Sequence, residues 1–376
     1  MTRIRKILCT KRMFRRVSQI PPLTLPAIKF LHSKVTHRTG LMDEKFVAYP
    51  DTRQFDSFRQ HYLKNSSDGC LDFHGTVKLH GSNVSIIFKS ASTWQIQSRN
   101  RILSAQEDMY ECYAKLNKAP LNDVAQQILR LAGTTDEDIW DDIMVVGEWA
   151  GRGIQNGIGV SKVDKFFAIF NIRIGTKWQD IRKFQTVAVP EYRIFNICDF
   201  PTYLMKIDLL SLTDVERAEK EMRILVDEID KKCPVAAQMG VEGGGEGIVY
   251  TFHPPEATHR LYHFKVKGPS HQIVRKDKLS KVPPGLASAV AAFIEYAVTE
   301  ARLDQGIAYL EEMNIPVEDE STGKYIGWVV KDVFKEESHT MEKMGLKEKD
   351  VKSQLSRTVR EGWTIRLKAA QRNDLE

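Results

Sequence analysis

The order of apolar segments limits what this chain can fold into. Between residues 43 and 267 most apolar residues fall in short runs typical of strands, whereas no convincing strand-like run follows Lys267. These runs do not alternate regularly with helical segments, which argues against a parallel βαβ sheet. We therefore predict an α+β protein, with an antiparallel-sheet domain followed by a small all-helical domain. The predicted strands cover 76–88, 94–99, 143–148, 166–174, 192–197, 246–252 and 261–266.

Shifts in composition divide the chain further. Basic residues and two consecutive prolines separate the strand-rich part from the helical part, and helical spacing also occurs twice inside the strand-rich part, over 106–132 and 214–232. The predicted divisions are a basic N-terminal extension, 1–42; a sheet domain, 43–270; a basic linker, 271–284; and a helical domain, 285–376.

The last predicted helix carries a single apolar stripe. Val351, Leu355, Val359 and Trp363 are spaced four residues apart and have charged neighbours on both sides. This spacing places them on one face of a helix. We predict that this helix packs against its own domain.

Residues 1–42 contain ten Lys or Arg and no acidic residue. Three interpretations fit this segment: a mitochondrial transit peptide, a flexible basic arm that touches nucleic acid, or residues upstream of a native start at Met42. The expected location is intracellular, either the cytoplasm or, if the segment is a transit peptide, the mitochondrial matrix.

Cysteine usage and charge exclude several classes of protein. The five cysteines include no Cys-x-x-Cys pair, so we predict neither a disulfide framework nor a thiolate zinc site. No apolar run approaches the roughly 20 residues of a membrane span. Beyond residue 42 acidic residues slightly outnumber basic ones, so any attraction to polyanions must come from local patches. Neither a membrane nor an obligate protein partner is predicted.

Four short motifs place reactive side chains beside glycines near strand ends: TVKLHGSN, GEWAGRGIQ, GEGIVY and FKVKG. Each is a weak signal alone, because a strand-end lysine is usually solvated and a Lys-x-Lys pair usually marks a wet sheet edge. In the first motif Lys78 and His80 are two residues apart, so on a strand they share a face. The order of the four motifs together indicates a site.

Lys78 is the candidate nucleophile of that site. An amine attacks phosphorus only in its free form, which requires neighbouring cations or burial to lower its pKa. Lys265 and Lys267 would supply this field and hold phosphate oxygens. Glu148 and Glu246 suit magnesium-assisted phosphoryl transfer, although simple charge pairing is the commoner role of such residues.

Taken in this order, the motifs resemble those of the covalent nucleotidyltransferase superfamily of ligases and capping enzymes. They are most similar to ATP-dependent RNA ligases of the RNA ligase 2 type, the group of phage double-stranded RNA ligases and trypanosome RNA-editing ligases. The usual Lys-x-Asp-Gly signature appears here as Lys78-x-His80-Gly81, followed by Ser82 and Asn83. This variant is characteristic of the RNA ligase group.

The resemblance extends into the helical domain, where GKYIGWVVKDVF and SQLSRTVREGWTIRL are similar to the small C-terminal domain of phage members. Residues 1–42 lie outside it. One position departs from the group: Asn171 follows Phe170 where the group commonly has Asp. An amide brings no charge, so a metal role at that position is in doubt.

The resemblance implies ATP and Mg²⁺ or Mn²⁺ as cofactors, and RNA with 3′-hydroxyl and 5′-phosphate ends as the substrate, with nicks in duplex RNA as the expected form. The implied residue roles are Lys78 as the nucleophile that carries AMP; Phe170 stacking on adenine; Glu148 binding the ribose hydroxyls; Asn83 and Arg99 positioning AMP and the 5′-phosphate; Lys265 and Lys267 binding the ATP phosphates; Glu246 supporting the metal, with Glu148 acting through water; and His80 near the pyrophosphate or metal.

Two other kinds of function stay open at this point. One is a DNA ligase or a GTP-using capping enzyme, and His80 and Asn83 weigh against both. The other is a non-catalytic RNA-binding or repair-scaffold protein that kept the fold. The presence of every motif lysine weighs against that second reading.

Overall fold

The computed structural model describes residues 45–66, 68–90, 92–134, 143–254, 258–271 and 285–373. The predicted extension 1–42 lies outside the described residues, as does the predicted linker 271–284 apart from His271. The three interpretations of segment 1–42 therefore stay predictions. Among the helices described, none is both long and apolar enough to cross a membrane.

Within the described residues, all strands lie before residue 268. Those in the described part of the chain are β1 Arg53–Gln54, β2 Cys70–Lys78, β3 Ser82–Ser90, β4 Thr93–Ser98, β5 Ile143–Ala150, β6 Phe166–Ile174, β7 Lys177–Trp178, β8 Ile194–Asn196, β9 Thr202–Asp208, β10 Gly247–Phe252 and β11 Tyr262–Lys267.

Helices occur in both halves and are the only regular elements after residue 285 in the part described. They are α1 Phe55–Leu63, α2 Cys112–Leu116, α3 Leu121–Ala132, α4 Leu212–Lys231, α5 Pro234–Gln238, α6 Leu286–Ala297, α7 Glu300–Glu312, α8 Thr322–Glu336, α9 Ser338–Lys343 and α10 Glu348–Asn373.

The strands form two sheets, which within the described residues have the orders β1-β11-β10-β2-β9 and β4-β3-β5-β6-β7, with β8 beside β6. Pairing is antiparallel except between β1 and β11 and between β6 and β8. The predicted class is confirmed: an antiparallel α+β domain with a helical domain after it. We call the sheet containing β2 the first sheet, the sheet containing β3 the second sheet, and residues 285–373 the helical domain.

The first sheet, the second sheet and the helical domain each have an apolar core of their own. In the first sheet, Phe73 and Phe264 pack against Phe58 of α1 and the apolar face of α4. A larger core joins the second sheet to α2 and α3. The helical domain has a third core, which includes the whole predicted stripe of α10. All four stripe residues are buried, so that prediction is confirmed.

The prediction of one continuous strand over 76–88 is wrong. The chain leaves the first sheet after Lys78 and enters the second sheet at Ser82, so the segment contributes to two strands in different sheets. Gly81 makes the crossing possible, because a Cβ there would lie 2.3 Å from the carbonyl oxygen of Trp149. Lys78, the candidate nucleophile, therefore lies where the chain passes from the first sheet to the second.

Another prediction, a helix over 106–132, is only partly correct. The structure has two helices, α2 and α3, preceded by irregular chain. Pro120 stands at the N-cap of α3, and a residue before proline is disfavoured in helical conformation. The strand β9 was not predicted from the sequence; it pairs with β2 at the edge of the first sheet.

Candidate active site

A buried carboxylate, Glu246, organises the site between the two sheets. It lies directly before β10, whose first residue pairs with Lys78 at the end of β2 and with Lys267 at the end of β11. Its Oε2 is 2.5 Å from Lys78 Nζ and 3.2 Å from His80 Nδ1, and its Oε1 is 2.8 Å from Lys267 Nζ. Three residues from two motifs therefore meet on the carboxylate of a third motif.

The charges around Glu246 decide its protonation. The side chain is only 2% exposed, and burial alone would raise the pKa of Glu246. Lys267 and Lys78 more than offset this effect, so the pKa lies well below its usual range. Burial works to lower the pKa of Lys267, but Glu246 more than compensates and raises it. Glu246 is therefore ionised at neutral pH in this arrangement.

Lys265, two residues before Lys267 on β11, has a different partner. Its Nζ lies 3.1 Å from Oε2 of Glu336, which is the last residue of α8 in the helical domain. Burial lowers the pKa of Lys265, although Glu336 offsets part of the shift. The helical domain thus reaches into the site and contacts one of the predicted phosphate-binding lysines.

Glu148 and Asn83 lie opposite each other on β5 and β3. Glu148 Oε1 accepts a hydrogen bond of 2.9 Å from the Gly81 backbone N–H. Burial raises the pKa of Glu148 to about 7, while the Lys78 charge opposes the rise and Glu246 adds to it. Asn83 Oδ1 is buried without a hydrogen-bond partner in the part of the chain described. An unsatisfied buried acceptor at this position is consistent with a site for a polar ligand.

Phe170 lies at a β-bulge and packs at the edge of the apolar core. The pairing of β5 with β6 shifts register here, since Val146 pairs with Asn171 but Gly147 pairs with Ile169, leaving Phe170 without a partner. A bulge re-aims the side chains around it. Phe170 is half-buried, and its ring meets that of Tyr49 edge-on at 5.7 Å.

Asn171 has a structural partner. Its Nδ2 donates a hydrogen bond of 2.7 Å to the hydroxyl of Tyr49, and its side chain is buried. Tyr49 also stacks on His263 at 5.7 Å. The residue that departs from the group's pattern therefore supports the aromatic cluster around Phe170.

Arg99 follows β4 and forms an ion pair with Asp51. The same oxygen of Asp51, Oδ1, is 2.7 Å from Nζ of Lys335 in the helical domain. The charge of Arg99 also acts on Glu148, lowering its pKa slightly against the effect of burial. Arg99 therefore lies at the rim of the site, between the sheets and the helical domain.

All nine residues predicted from the sequence fall at this junction of the two sheets. Sequence reasoning missed Tyr49, Asp51, Lys335 and Glu336. None of them belongs to a motif, and no spacing rule links them to the motif residues. Only the charge run Lys335-Glu336-Glu337 was visible, and such runs are usually solvated helix faces.

A family model for RNA ligase matches residues 71–267, which is more than half of the chain and includes all nine predicted site residues. The chain belongs to the RNA ligase family. Among curated proteins, none matches it.

Solved structures that resemble this RNA ligase family member include Naegleria gruberi RNA ligase with PPi, at 13% identity and a TM-score of 0.36. Mutants of the same enzyme with ATP and Mn and with AMP and Mn each match at 15% identity, with TM-scores of 0.38 and 0.39. Each match covers 60% of this chain and 57% of the solved chain. The chain thus spans little more than half the length of those solved structures.

Proposed function

We propose that this ligase joins RNA 3′-hydroxyl and 5′-phosphate ends with ATP, through lysyl-AMP and adenylylated-RNA intermediates, and that it acts at nicks in duplex RNA. The observation that carries the proposal is the convergence of Lys78, His80 and Lys267 on the buried Glu246. Covalent nucleotidyl transfer requires a nucleophilic amine with further cations beside it. Lys78 and Lys267 meet this requirement where the two sheets adjoin.

The proposed reaction has three displacements at phosphorus. Lys78 Nζ attacks the α-phosphorus of ATP, so a P–N bond forms, pyrophosphate leaves with the P–O bonding electrons, and the amine loses a proton. An oxygen of the RNA 5′-phosphate then attacks the same phosphorus, and the P–N bond breaks. Finally the 3′-hydroxyl attacks the activated 5′-phosphate, loses its proton and releases AMP.

The residues of the site divide this work. Lys265 and Lys267 would hold the phosphates of ATP, and both side chains are at most 15% exposed, which strengthens their electrostatic effect. Phe170 would stack on the adenine, and Glu148 would accept hydrogen bonds from the ribose hydroxyls. Positioning of the reactants and fixed positive charge contribute most to the rate of such displacements, because little acid–base chemistry is needed.

The donor set fits a metal that arrives with the nucleotide. Among the described residues, no three His, Cys, Asp or Glu side chains are grouped to hold an ion. Mg²⁺ commonly binds through one or two carboxylates, substrate phosphates and water. Glu246 would be its carboxylate, with Glu148 acting through water. When bound, the ion would neutralise charge on the phosphate oxygens.

We propose a division of the chain to match these roles. Residues 43–270 form the adenylyltransferase domain, and residues 285–376 form the helical domain, joined by the basic linker 271–284. The family match over residues 71–267 and the separate apolar core of the helical domain support this division.

Mass spectrometry of the intact protein with ATP and Mg²⁺ tests the proposal. Wild type should gain the mass of one AMP, and Lys78→Ala should gain none. Lys206→Ala, which removes an exposed lysine from β9, is the matched control and should label like wild type. No adduct on wild type, an adduct on Lys78→Ala, or labelling by GTP alone would contradict the proposal. Nicked RNA and nicked DNA duplexes then test the choice of substrate.

A further inference from the structure

Two cations from different domains converge on one carboxylate at the rim of the site. Asp51 precedes β1, Arg99 follows β4, and Lys335 lies in the last turn of α8. Both cations bind the same oxygen, Asp51 Oδ1, with 2.7 Å to Lys335 Nζ. The three residues, which we call the rim triad, join the sheets to the helical domain.

The rim triad is an anion site already occupied by a side chain. Burial works to raise the pKa of Asp51, but Lys335 and Arg99 more than offset it, so its carboxyl has a lowered pKa and is charged. The side chains of Asp51, Arg99 and Lys335 are 53%, 39% and 40% exposed, so solvent and ligands reach them. Exposed ion pairs of this kind contribute only about 0–1 kcal/mol. A stronger anion can therefore displace the carboxylate.

A terminal phosphate is such an anion. It carries up to two charges and three acceptor oxygens, whereas a carboxylate carries one charge and two oxygens. The planar guanidinium of Arg99 suits two parallel hydrogen bonds to phosphate, and the ammonium of Lys335 adds a compact point charge. The chemistry of the rim triad thus favours phosphate over its own Asp51.

The position of the rim triad relates it to the nucleotide site. The backbone carbonyl of Asp51 lies 3.2 Å from Nε2 of His263, whose ring stacks on Tyr49 beside Phe170. On the opposite side Glu336, the neighbour of Lys335, holds Lys265. An anion at the rim triad would therefore lie close to the predicted adenylyl group while touching the helical domain.

We propose that Lys335 of the helical domain joins Arg99, for which the family resemblance already implies a role at the 5′-phosphate, and binds the 5′-phosphate of the RNA strand to be joined in place of the Asp51 carboxylate. This inference rests on the proposed function and assigns the helical domain a direct contact with the substrate end. Asp51 holds the two cations in place until the strand arrives. The 5′-phosphate then links the helical domain to the sheets.

Binding of nicked RNA duplexes that differ only in a 5′-phosphate or a 5′-hydroxyl at the nick tests the proposal. The readout is the ratio of the two dissociation constants, measured with Mg²⁺ and without ATP. In wild type the phosphorylated duplex should bind at least about tenfold tighter. Lys335→Ala should bring the ratio at least severalfold nearer to one, and Lys335→Arg should restore most of it.

Two further variants separate phosphate binding from a structural role. Asp51→Asn removes the internal competitor, so the ratio should rise above that of wild type, which a purely structural ion pair would not cause. Lys331→Ala removes an exposed lysine one turn earlier on α8 and should leave the ratio unchanged. An unchanged ratio in Lys335→Ala, an equal fall in Lys331→Ala, or no phosphate preference in wild type would overturn the inference. Failure of the proposed function is distinct, since it would appear as wild type that forms no lysyl-AMP.

Discussion

The ionisation of Glu148 differs between the folded and the unfolded chain as the pH approaches neutrality. Its ordinary pKa is 4.5, and burial raises it to about 7 in the fold. Between these values the folded protein holds a proton that the unfolded chain has released. Stability therefore falls as the pH rises from about 4.5 to about 7, and the loss persists above pH 7.

Glu148→Gln should remove this loss. The amide keeps the acceptor for the Gly81 N–H and carries no charge to bury, so the variant should melt a few degrees above wild type at pH 8. The difference should shrink towards pH 5, where wild-type Glu148 is protonated. Thermal unfolding at both pH values measures it, with Glu216→Gln, an exposed position on α4, as the control. An equal difference at pH 8 and pH 5 would show that the charge is not the cause.

The helix α10 shows how one element fixes the helical domain. Its stripe of Val351, Leu355, Val359 and Trp363 is buried, and Trp363 packs on Tyr325 of α8 with ring centroids 4.6 Å apart. The indole Nε1 of Trp363 also donates a hydrogen bond of 2.8 Å to Thr322 Oγ1. The helix that carries Lys335 and Glu336 is therefore held from its first turn onward by α10.

Trp363→Ala should destabilise the helical domain by about 3–5 kcal/mol, because a large buried side chain leaves a cavity and Thr322 loses its donor. Ile365→Ala is the matched control on the same helix, since Ile365 is 67% exposed and its loss should change stability by no more than about 0.5 kcal/mol. Chemical denaturation followed by circular dichroism measures both. Equal effects of the two substitutions would contradict the packing described for α10.

At the scale of the whole molecule, the helical domain contacts the sheets at several charged or polar points. Besides the rim triad and the pair of Lys265 with Glu336, Asn100 donates a hydrogen bond of 3.1 Å to Glu312 at the end of α7. A buried cluster fixes the end of α8, where Arg302 Nη2 donates a hydrogen bond of 2.8 Å to Glu337. Glu336 is thus presented to Lys265 by a rigid helix end.

Glu336→Gln should help ATP to enter the site. In the structure the Glu336 carboxylate forms an ion pair with Lys265. A triphosphate that binds this lysine must displace the carboxylate. A neutral amide competes less, so we expect the ATP concentration that half-saturates lysyl-AMP formation to fall at least severalfold at pH 7. Single-turnover labelling at varied ATP measures this value.

Glu320→Gln, an exposed position that makes the same charge change before α8, should leave that ATP concentration unchanged. A rise in the value for Glu336→Gln would mean that the carboxylate supports the bound state instead of competing with it.

Local patterns in the sequence were enough for the fold class and for the motif residues. The stripe of α10 and most strands follow from side-chain periodicity, which each segment carries within itself. Pairing across sheets does not, so β9 was missed and the segment 76–88 was assigned to one strand. Its break depends on Gly81 passing the backbone of Trp149, a contact between residues far apart in the chain.

The order of residues along the chain is enough to predict which reactive groups the site contains, because Lys78, His80 and the Lys-x-Lys pair stand in motifs that need no structure to recognise. The partners of these groups depend on the folded arrangement. Glu246 forms ion pairs with Lys78 and Lys267, and a bulge places Phe170 at the edge of the core. Asp51 pairs with Arg99 and Lys335, and Glu336 pairs with Lys265. The physical reason is that residue type and periodicity are local properties, whereas burial and ion pairing depend on which distant segments the fold brings together.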